Sequence, residues 1–438
     1  MSSLSHSSAP FLRYPIREIA EVANQVLTLD PSRPIAWENI GDPIAKGWPV
    51  PPFLKTILHQ TIDASDAVFG YAHSRGEKST REFIANLANE INPAAPISAE
   101  DVLCTNGLGA AIPLIYQMLP PSARILQPAP GYPTHASCES FFAGAPPIYY
   151  HLDARNNWQI NLSEIENLLN TNSNIAGILI INPNNPTGAV CDSSVLEKIV
   201  ALAKQKNLFI IADEIYQALA YDQTEFRALS QLCANQVPLI VMRGMSKDVP
   251  WPGGRGGWLE FHNQNLHPEF ANLVKNIKQR ALLEVGAAHL PQTVLPLVYG
   301  HAEYKSWVNN LRTELQEISA DIVARLQKIP QLSVVAPRGA FYVLPLFSSG
   351  VLTLNQTLPI ANAAVREYIE KLVARPGILP DERLALYLLG AERICVVPAS
   401  GFGGGYCGFR VTTLERDPSC RAEVYGRLER AIAAYLES

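Results

Sequence analysis

Between residues 53 and 300, short apolar runs alternate with stretches of helical spacing, and no other feature narrows the possible folds of this chain as far. The runs fall at 124–127, 148–152, 178–181, 208–212 and 239–242, at strand length and rich in Ile, Leu and Val. Apolar on both sides and separated by helix-length segments, they predict an α/β fold: a mainly parallel sheet flanked by helices on both faces. A longer helical pattern over 301–327, with Leu311, Leu315, Ile318, Ile322 and Leu326 near helical spacing, leads out of this region. Beyond it, 332–335, 340–344, 394–397 and 409–413 read as strands and 421–436 as a closing helix, which predicts a smaller α/β C-terminal domain. The expected division is an N-terminal arm and connection over 1–52, with an amphipathic helix ending the arm within 11–29, a large domain over 53–300 and a small one over 301–438. With 438 residues, 47% of them hydrophobic, both domains can bury a core.

Composition removes several function classes. A net charge of -5 without a basic run argues against a nucleic-acid partner. No apolar stretch reaches transmembrane length, and residues 1–10 lack the charged and apolar regions of a signal peptide, so a cytoplasmic protein is expected. Seven cysteines without CxxC spacing read as reduced thiols, and nine histidines form no metal-binding pattern, so no metal is expected.

The residues able to carry chemistry stand just past the ends of the apolar runs. Lys247 follows the 239–242 run within Gly244-Met245-Ser246-Lys247 and precedes Arg255 in a glycine-rich stretch. An α/β sheet opens its ligand crevice at such a place. A primary amine there can condense with the aldehyde of pyridoxal phosphate, and an arginine one short loop away can clamp the phosphate. A lone lysine after a strand is more often a solvated charge. The run at 178–181 breaks into Asn182-Pro-Asn-Asn-Pro-Thr-Gly188, an ordinary strand-to-helix loop except that the Asn185 amide can donate to a pyridoxal phenolic oxygen. The run at 208–212 ends in Asp213, Glu214 and Tyr216. Asp213 can pair with a protonated pyridine nitrogen and Tyr216 can reach the ring's O3′, although such carboxylates more often open a helix. Arg410, the one charge in 408–412, is either an exposed edge-strand residue or a fork that holds a substrate α-carboxylate.

Taken in this order, from about Gly41 to Thr413, these segments resemble the class I/II aminotransferases, fold-type I enzymes that use pyridoxal 5′-phosphate. The resemblance implies an aspartate-aminotransferase-like fold and the transfer of an amino group between an α-amino acid and a 2-keto acid. It makes Lys247 the lysine bonded to the cofactor, Asp213 the partner of the pyridine nitrogen, and Tyr132 the aromatic stacked on the ring; these three are the implied catalytic residues. Asn185 and Tyr216 become the O3′ ligands, and Arg255 and Ser246 phosphate ligands. Asn106, Gly107 and Leu108 match the phosphate cradle, a turn whose backbone amides open a helix. Arg410, with Asn185 and the backbone of Gly41, is implied in substrate binding. Tyr71 matches a tyrosine that reaches the cofactor phosphate of a partner subunit, which implies a homodimer with shared active sites.

The chain also departs from that pattern. Leu108 stands where many relatives have a hydroxyl in the cradle, and Gly244 where they have a serine three residues before the lysine. Backbone amides, Arg255, Tyr71 and Ser246 are then left to hold the phosphate. Residues 284–291, where aspartate aminotransferases carry an arginine for a second substrate carboxylate, contain none, which argues against a dedicated dicarboxylate enzyme, although a mobile arginine elsewhere can substitute. Other α-carbon chemistry on the same fold (elimination, decarboxylation, cyclisation or oxidase-like reactions) stays open, because it depends on which substrate bond stands perpendicular to the ring. A regulator carrying this domain behind a DNA-binding module is disfavoured, since about forty residues precede Gly41. A cofactor-free binding protein would have no use for Lys247, Asp213, Tyr216 and Arg255 together. The glycine-dense 401–405 reads either as a loop that closes near Arg410 or as a plain turn.

Overall fold

A computed structural model describes residues 5–438, so the first four residues of the N-terminal reading lie outside it. The chain opens with α1 (Pro15–Leu29), whose Ile19, Ala23 and Val26 are buried. An eight-stranded sheet follows, built from β1 (Val102–Asn106), β2 (Arg124–Ala129), β3 (Ile148–Asp153), β4 (Gln159–Ile160), β5 (Ile175–Ile181), β6 (Phe209–Asp213), β7 (Leu239–Gly244) and β8 (Gly256–His262). Its spatial order is β1-β8-β7-β6-β5-β2-β3-β4. The run β3, β2, β5, β6, β7 is parallel throughout, while β4 and β8 pair antiparallel with their neighbours. The expected mainly parallel sheet is present, and each of the five anticipated runs forms one of its strands.

Period-two burial makes the sheet two-sided. Ile178, Ile180, Ile210 and Ala212 pack on one face with α4 (Leu162–Thr171) and α5 (Ser193–Gln205). Leu179, Ile181, Ile211 and Ile240 pack on the other with α2 (Leu108–Tyr116) and α6 (Pro268–Leu282). Each fully buried Ile or Leu contributes about 1.5–3 kcal/mol of transfer free energy, so both covers are held firmly. Between α2 and α4, α3 (Pro133–Ala143) packs along β2.

β8 was not expected, because its opening glycines read as a turn and Glu260 and His262 interrupt its apolar pattern. Tertiary pairing makes those charges tolerable. Arg243 of β7 meets Glu260 at 3.3 Å and Glu214 at 2.7 Å, all three buried, so no charge is left alone in the sheet.

Beyond the sheet, α7 (Tyr304–Leu326) runs to a second core shared with α1, and its observed span lies within the expected helical pattern. There β9 (Tyr342–Val343) and β10 (Val397–Pro398) flank β11 (Phe409–Thr412) in a three-stranded sheet, closed by α8 (Pro418–Glu437). β11 is therefore the middle strand. Arg410 on it is 1% exposed, which overturns the edge-strand reading of this residue. No helix among the described residues is long and apolar enough to cross a membrane.

Candidate active site

Parallel strands deliver their C-terminal ends to one edge, and the site is built there. In the register of the sheet Ile181 lies beside Asp213 and Asp213 beside Met242, so the turns after β5, β6 and β7 emerge together. They open into a cavity of about 450 Å³ lined by Gly41, Leu108, Tyr132, Asn185, Asp213, Tyr216, Ser246, Lys247, Arg255 and Arg410. Residues anticipated from seven separate segments of the sequence thus share one chamber.

Lys247 Nζ donates to the carbonyl oxygen of Gly41 at 3.1 Å and lies 5.6 Å from the Tyr216 ring centroid. Its stem keeps some surface toward the cavity while its amine is enclosed by protein. Burial pulls its pKa down to about 8; Asp42 opposes the shift, and Arg410 and Arg255 add to it. An amine so held spends much of its time neutral near pH 8, as a nucleophile or proton acceptor must.

Asp213, buried at the tip of β6, accepts from the backbone N–H of Ile215 at 3.2 Å and meets His135 Nε2 at 3.1 Å. His135 in turn has Nδ1 3.2 Å from the hydroxyl of Tyr116, which accepts from Gln127 Nε2 at 3.2 Å. This chain orients the carboxylate toward the cavity. His135 was not anticipated; it lies in the first turn of α3, three residues after Tyr132, which caps that helix.

Arg410 Nη1 donates to Asn185 Oδ1 at 3.1 Å and Nη2 to the carbonyl oxygen of Asn39. With its oxygen engaged, the Asn185 amide has its N–H groups free to serve another acceptor. The guanidinium lies over the ring of Tyr342 at 4.6 Å and over that of Phe402 at 5.1 Å. Its Nε is buried and has no partner among the described residues, so donor capacity is left for an incoming anion.

Arg255 closes the far end. Its Nη2 donates to Asn106 O at 3.3 Å and its Nη1 to Pro252 O at 3.0 Å. Gly107, at φ +71°, opens α2, and a Cβ there would stand 2.6 Å from Arg255 Nη2. Only glycine lets that guanidinium approach the first amides of the helix. An arginine beside a helix N-terminus is an anion site, so the residues fit the phosphate of pyridoxal phosphate, with Asp213 and Lys247 at the other end of the same cavity. Asn106 Oδ1 is occupied by the backbone N–H of Ala288 at 2.8 Å, which leaves the backbone of 106–108 rather than this side-chain oxygen for the cradle.

Of the anticipated residues, Asn106 and Gly107 stand behind the lining, against Arg255, and Tyr71 does not join this chamber: on its own chain it is 89% exposed. Among the lining residues that escaped the sequence reading, three carry polar side chains of interest. Tyr14 OH lies 3.0 Å from Tyr132 OH. Arg17 lines the mouth, exposed, and its guanidinium has no hydrogen-bond or ion-pair partner among the described residues. Tyr342 OH lies 2.8 Å from Tyr216 OH. All three come from segments far from the motifs, and no local pattern marks them.

The comparisons agree with this geometry. Residues 43–414 match the family described as aminotransferase class I and II. An uncharacterized aminotransferase of Methanocaldococcus jannaschii is 36% identical over 98% of this chain and 97% of its own length. The glutamate-pyruvate aminotransferase of Escherichia coli is 29% identical over 91% of this chain and 89% of its own. Among solved structures, an alanine aminotransferase from Pyrococcus furiosus superposes with a TM-score of 0.83 at 26% identity, covering 99% of this chain and all of that one.

Proposed function

Because the chain belongs to the class I and II aminotransferase family, pyridoxal-phosphate-dependent transferases of fold type I, we infer that the cavity around Lys247 is where it exchanges an amino group between an amino acid and a 2-keto acid. The observation that carries the reading is the convergence on one cavity of a lysine amine lowered to about 8, a buried carboxylate and a buried arginine with an unpartnered donor.

Pyridoxal 5′-phosphate, when bound, supplies an aldehyde for the amino group and a ring that draws electrons from the substrate α-carbon. Asp213 would hold the ring nitrogen, Asn185 and Tyr216 the phenolic oxygen, and Tyr132 the ring face. The backbone of 106–108, Arg255 and Ser246 would hold the phosphate. Arg410 binds the substrate α-carboxylate in a fork, with the enclosing rings excluding water from the pair. Lys247 Nζ is placed so that it would take a proton from the substrate α-carbon and return one. Tyr132 and Tyr14 close the chamber against solvent.

Arg17 bears on the substrate. An exposed guanidinium at the mouth, without a partner among the described residues, can meet a second carboxylate, which supports a dicarboxylate such as glutamate or 2-oxoglutarate as one partner of the exchange. An uncharged side chain can use the same cavity without it, so the other partner is a small neutral amino acid such as alanine. On this reading Arg17 on α1 would stand in for the arginine that residues 284–291 lack.

The assembly is proposed on similar grounds. Phe69, Tyr71, Leu283 and Val285 are exposed on two segments that touch where His289 Nδ1 lies 3.1 Å from Gly70 O. Such a patch suits a second copy of this chain. There the partner subunit's Tyr71 would reach the phosphate that Leu108 and Gly244 leave short of hydroxyls. A division at 300/301 is supported by the second core that α7 and the elements after it build, although α1 and Trp48 share that core, and a cytoplasmic setting by seven cysteines that are all free.

The test is a keto-acid product assay of the purified protein with a panel of amino donors against pyruvate and 2-oxoglutarate. Stoichiometric amino transfer with at least one pair, lost in Lys247→Ala together with the lysine-linked visible absorbance, is the expected result. Release of ammonia or carbon dioxide in place of transfer would overturn the reaction assignment.

A further inference from the structure

Tyr216 and Tyr342 are both buried, their rings stand edge to face at 5.7 Å, and their hydroxyl oxygens are 2.8 Å apart. Two hydroxyls that share one hydrogen bond have a single hydrogen to spare, and which of them keeps it decides what the pair can do. The Tyr342 hydroxyl is pressed against the backbone of Gly41, where a Cβ would stand 2.2 Å from it. Once Tyr216 gives its one hydrogen to an acceptor in the cofactor site, the 2.8 Å pair can be held only by Tyr342 donating to Tyr216. The Tyr216 hydroxyl belongs to a residue that lines the cavity beside Lys247. The arrangement in which Tyr342 donates and Tyr216 accepts therefore leaves the spare hydrogen where an acceptor can use it. Accepting a hydrogen bond also polarises the Tyr216 O–H and makes it a stronger donor.

The ring of Tyr342 has a separate task. It holds the Arg410 guanidinium over its face at 4.6 Å, with the Phe402 ring also in contact at 5.1 Å, and so restricts how the fork can turn to receive a carboxylate. Phenylalanine would keep this contact and lose the hydroxyl.

We propose that Tyr342 is a positioning residue with two separable roles: its hydroxyl fixes Tyr216 as a one-way donor into the cofactor site, and its ring seats Arg410 for the substrate carboxylate. The proposal rests on the cofactor reading above. Tyr216 would donate to the negatively charged phenolic oxygen beside the lysine-linked nitrogen, and a donor to that oxygen lowers the nitrogen's hold on its proton. A weakened donor raises it.

The experiment titrates the visible absorbance of substrate-free holoenzyme with pH in the wild type and in Tyr342→Phe, Tyr216→Phe, the double variant and Tyr342→Leu, and measures KM and kcat for amino acid and keto acid in each. In Tyr342→Phe the titration midpoint should rise by about half a pH unit or more, a roughly threefold change in proton affinity, with KM within about twofold of wild type. Tyr216→Phe should raise the midpoint further, and adding Tyr342→Phe to it should change nothing more, because the hydroxyl acts only through Tyr216. Tyr342→Leu should shift the midpoint likewise and raise KM about tenfold. An unmoved midpoint in Tyr342→Phe, or additive shifts in the double variant, would overturn the hydroxyl role. A KM rise in Tyr342→Phe equal to that in Tyr342→Leu would overturn the ring role. Failure of the cofactor reading is distinct: the wild type would then show no visible absorbance that Lys247→Ala removes.

Discussion

Replacing Lys247 by methionine should stabilise the cofactor-free protein at neutral pH, and the size of the gain follows from how the amine is held. In the unfolded chain a lysine titrates near 10.5; folded, this one titrates at about 8, mainly because burial disfavours its charge. At about 1.36 kcal/mol per pH unit, the difference of about 2.5 between the two values corresponds to about 3.4 kcal/mol of lost stability wherever both states are protonated, that is, below about pH 8. Between about 8 and 10.5 the unfolded state binds the extra proton, so wild-type stability climbs with pH across that window and the penalty is gone above it. The stem is open to the cavity, which screens the effect, and methionine forfeits the hydrogen bond to Gly41, worth about 1 kcal/mol. The expected net gain of Lys247→Met at pH 7 is therefore about 1–2 kcal/mol. The assay is urea unfolding of both apoproteins at pH 7 and pH 10 at equal protein concentration. Tyrosines and cysteines that titrate in the same window cancel when the two proteins are compared. The difference between them should shrink or reverse at pH 10. A difference that stays constant with pH would mean that the amine is not desolvated, and the account of its reactivity would fall with it. Stability surrendered at the reactive lysine is the cost of an amine that is neutral when needed.

Three further outcomes are expected. Arg410→Lys keeps the charge but loses the planar fork, so kcat/KM should fall by roughly 2–4 kcal/mol in transition-state terms for every amino donor, with cofactor affinity little changed; full retention would return Arg410 to a structural role. Arg17→Ala should raise KM for glutamate and 2-oxoglutarate about tenfold, close to the 1.4 kcal/mol of a lost charge-assisted contact, while alanine and pyruvate change less than about twofold; equal effects on both classes would remove Arg17 from substrate recognition. A mixed dimer of Tyr71→Ala and Lys247→Ala subunits should regain up to half of wild-type activity, because one of its sites then carries both lesions and the other neither; no recovery on verified mixing would refute shared sites.

The sequence by itself determined the parallel sheet, the five residues that hang from its strand ends or close beside them, and Arg410 on a strand of the smaller sheet. Apolar runs of strand length separated by helices have few ways to bury both faces, and once the strands are parallel their C-terminal ends must gather Asn185, Asp213 and Lys247 at one edge. Tyr216 and Arg255 follow those strands closely enough to be carried along, and Arg410 was visible as a lone charge in an apolar strand. What the sequence could not decide was environment. Whether Arg410 sat at an edge or in the middle of its sheet depended on pairing between 342–343, 397–398 and 409–412, and only that pairing buried it. β8 was hidden because its charges make sense only beside Arg243 on the neighbouring strand. Tyr14, Arg17, His135 and Tyr342 carry no local signature, since a tyrosine or arginine in an amphipathic stretch looks the same whether it faces solvent or an active site. Packing of α1 and of the second core against the sheet edge brought Tyr14, Arg17 and Tyr342 to the cavity, across contacts such as Tyr14 to Tyr132 and Tyr216 to Tyr342 that span more than a hundred residues of chain, while α3 set His135 behind Asp213. Contacts at that separation leave no periodicity to read, so the sequence named the chemistry and the tertiary structure supplied the residues that orient it.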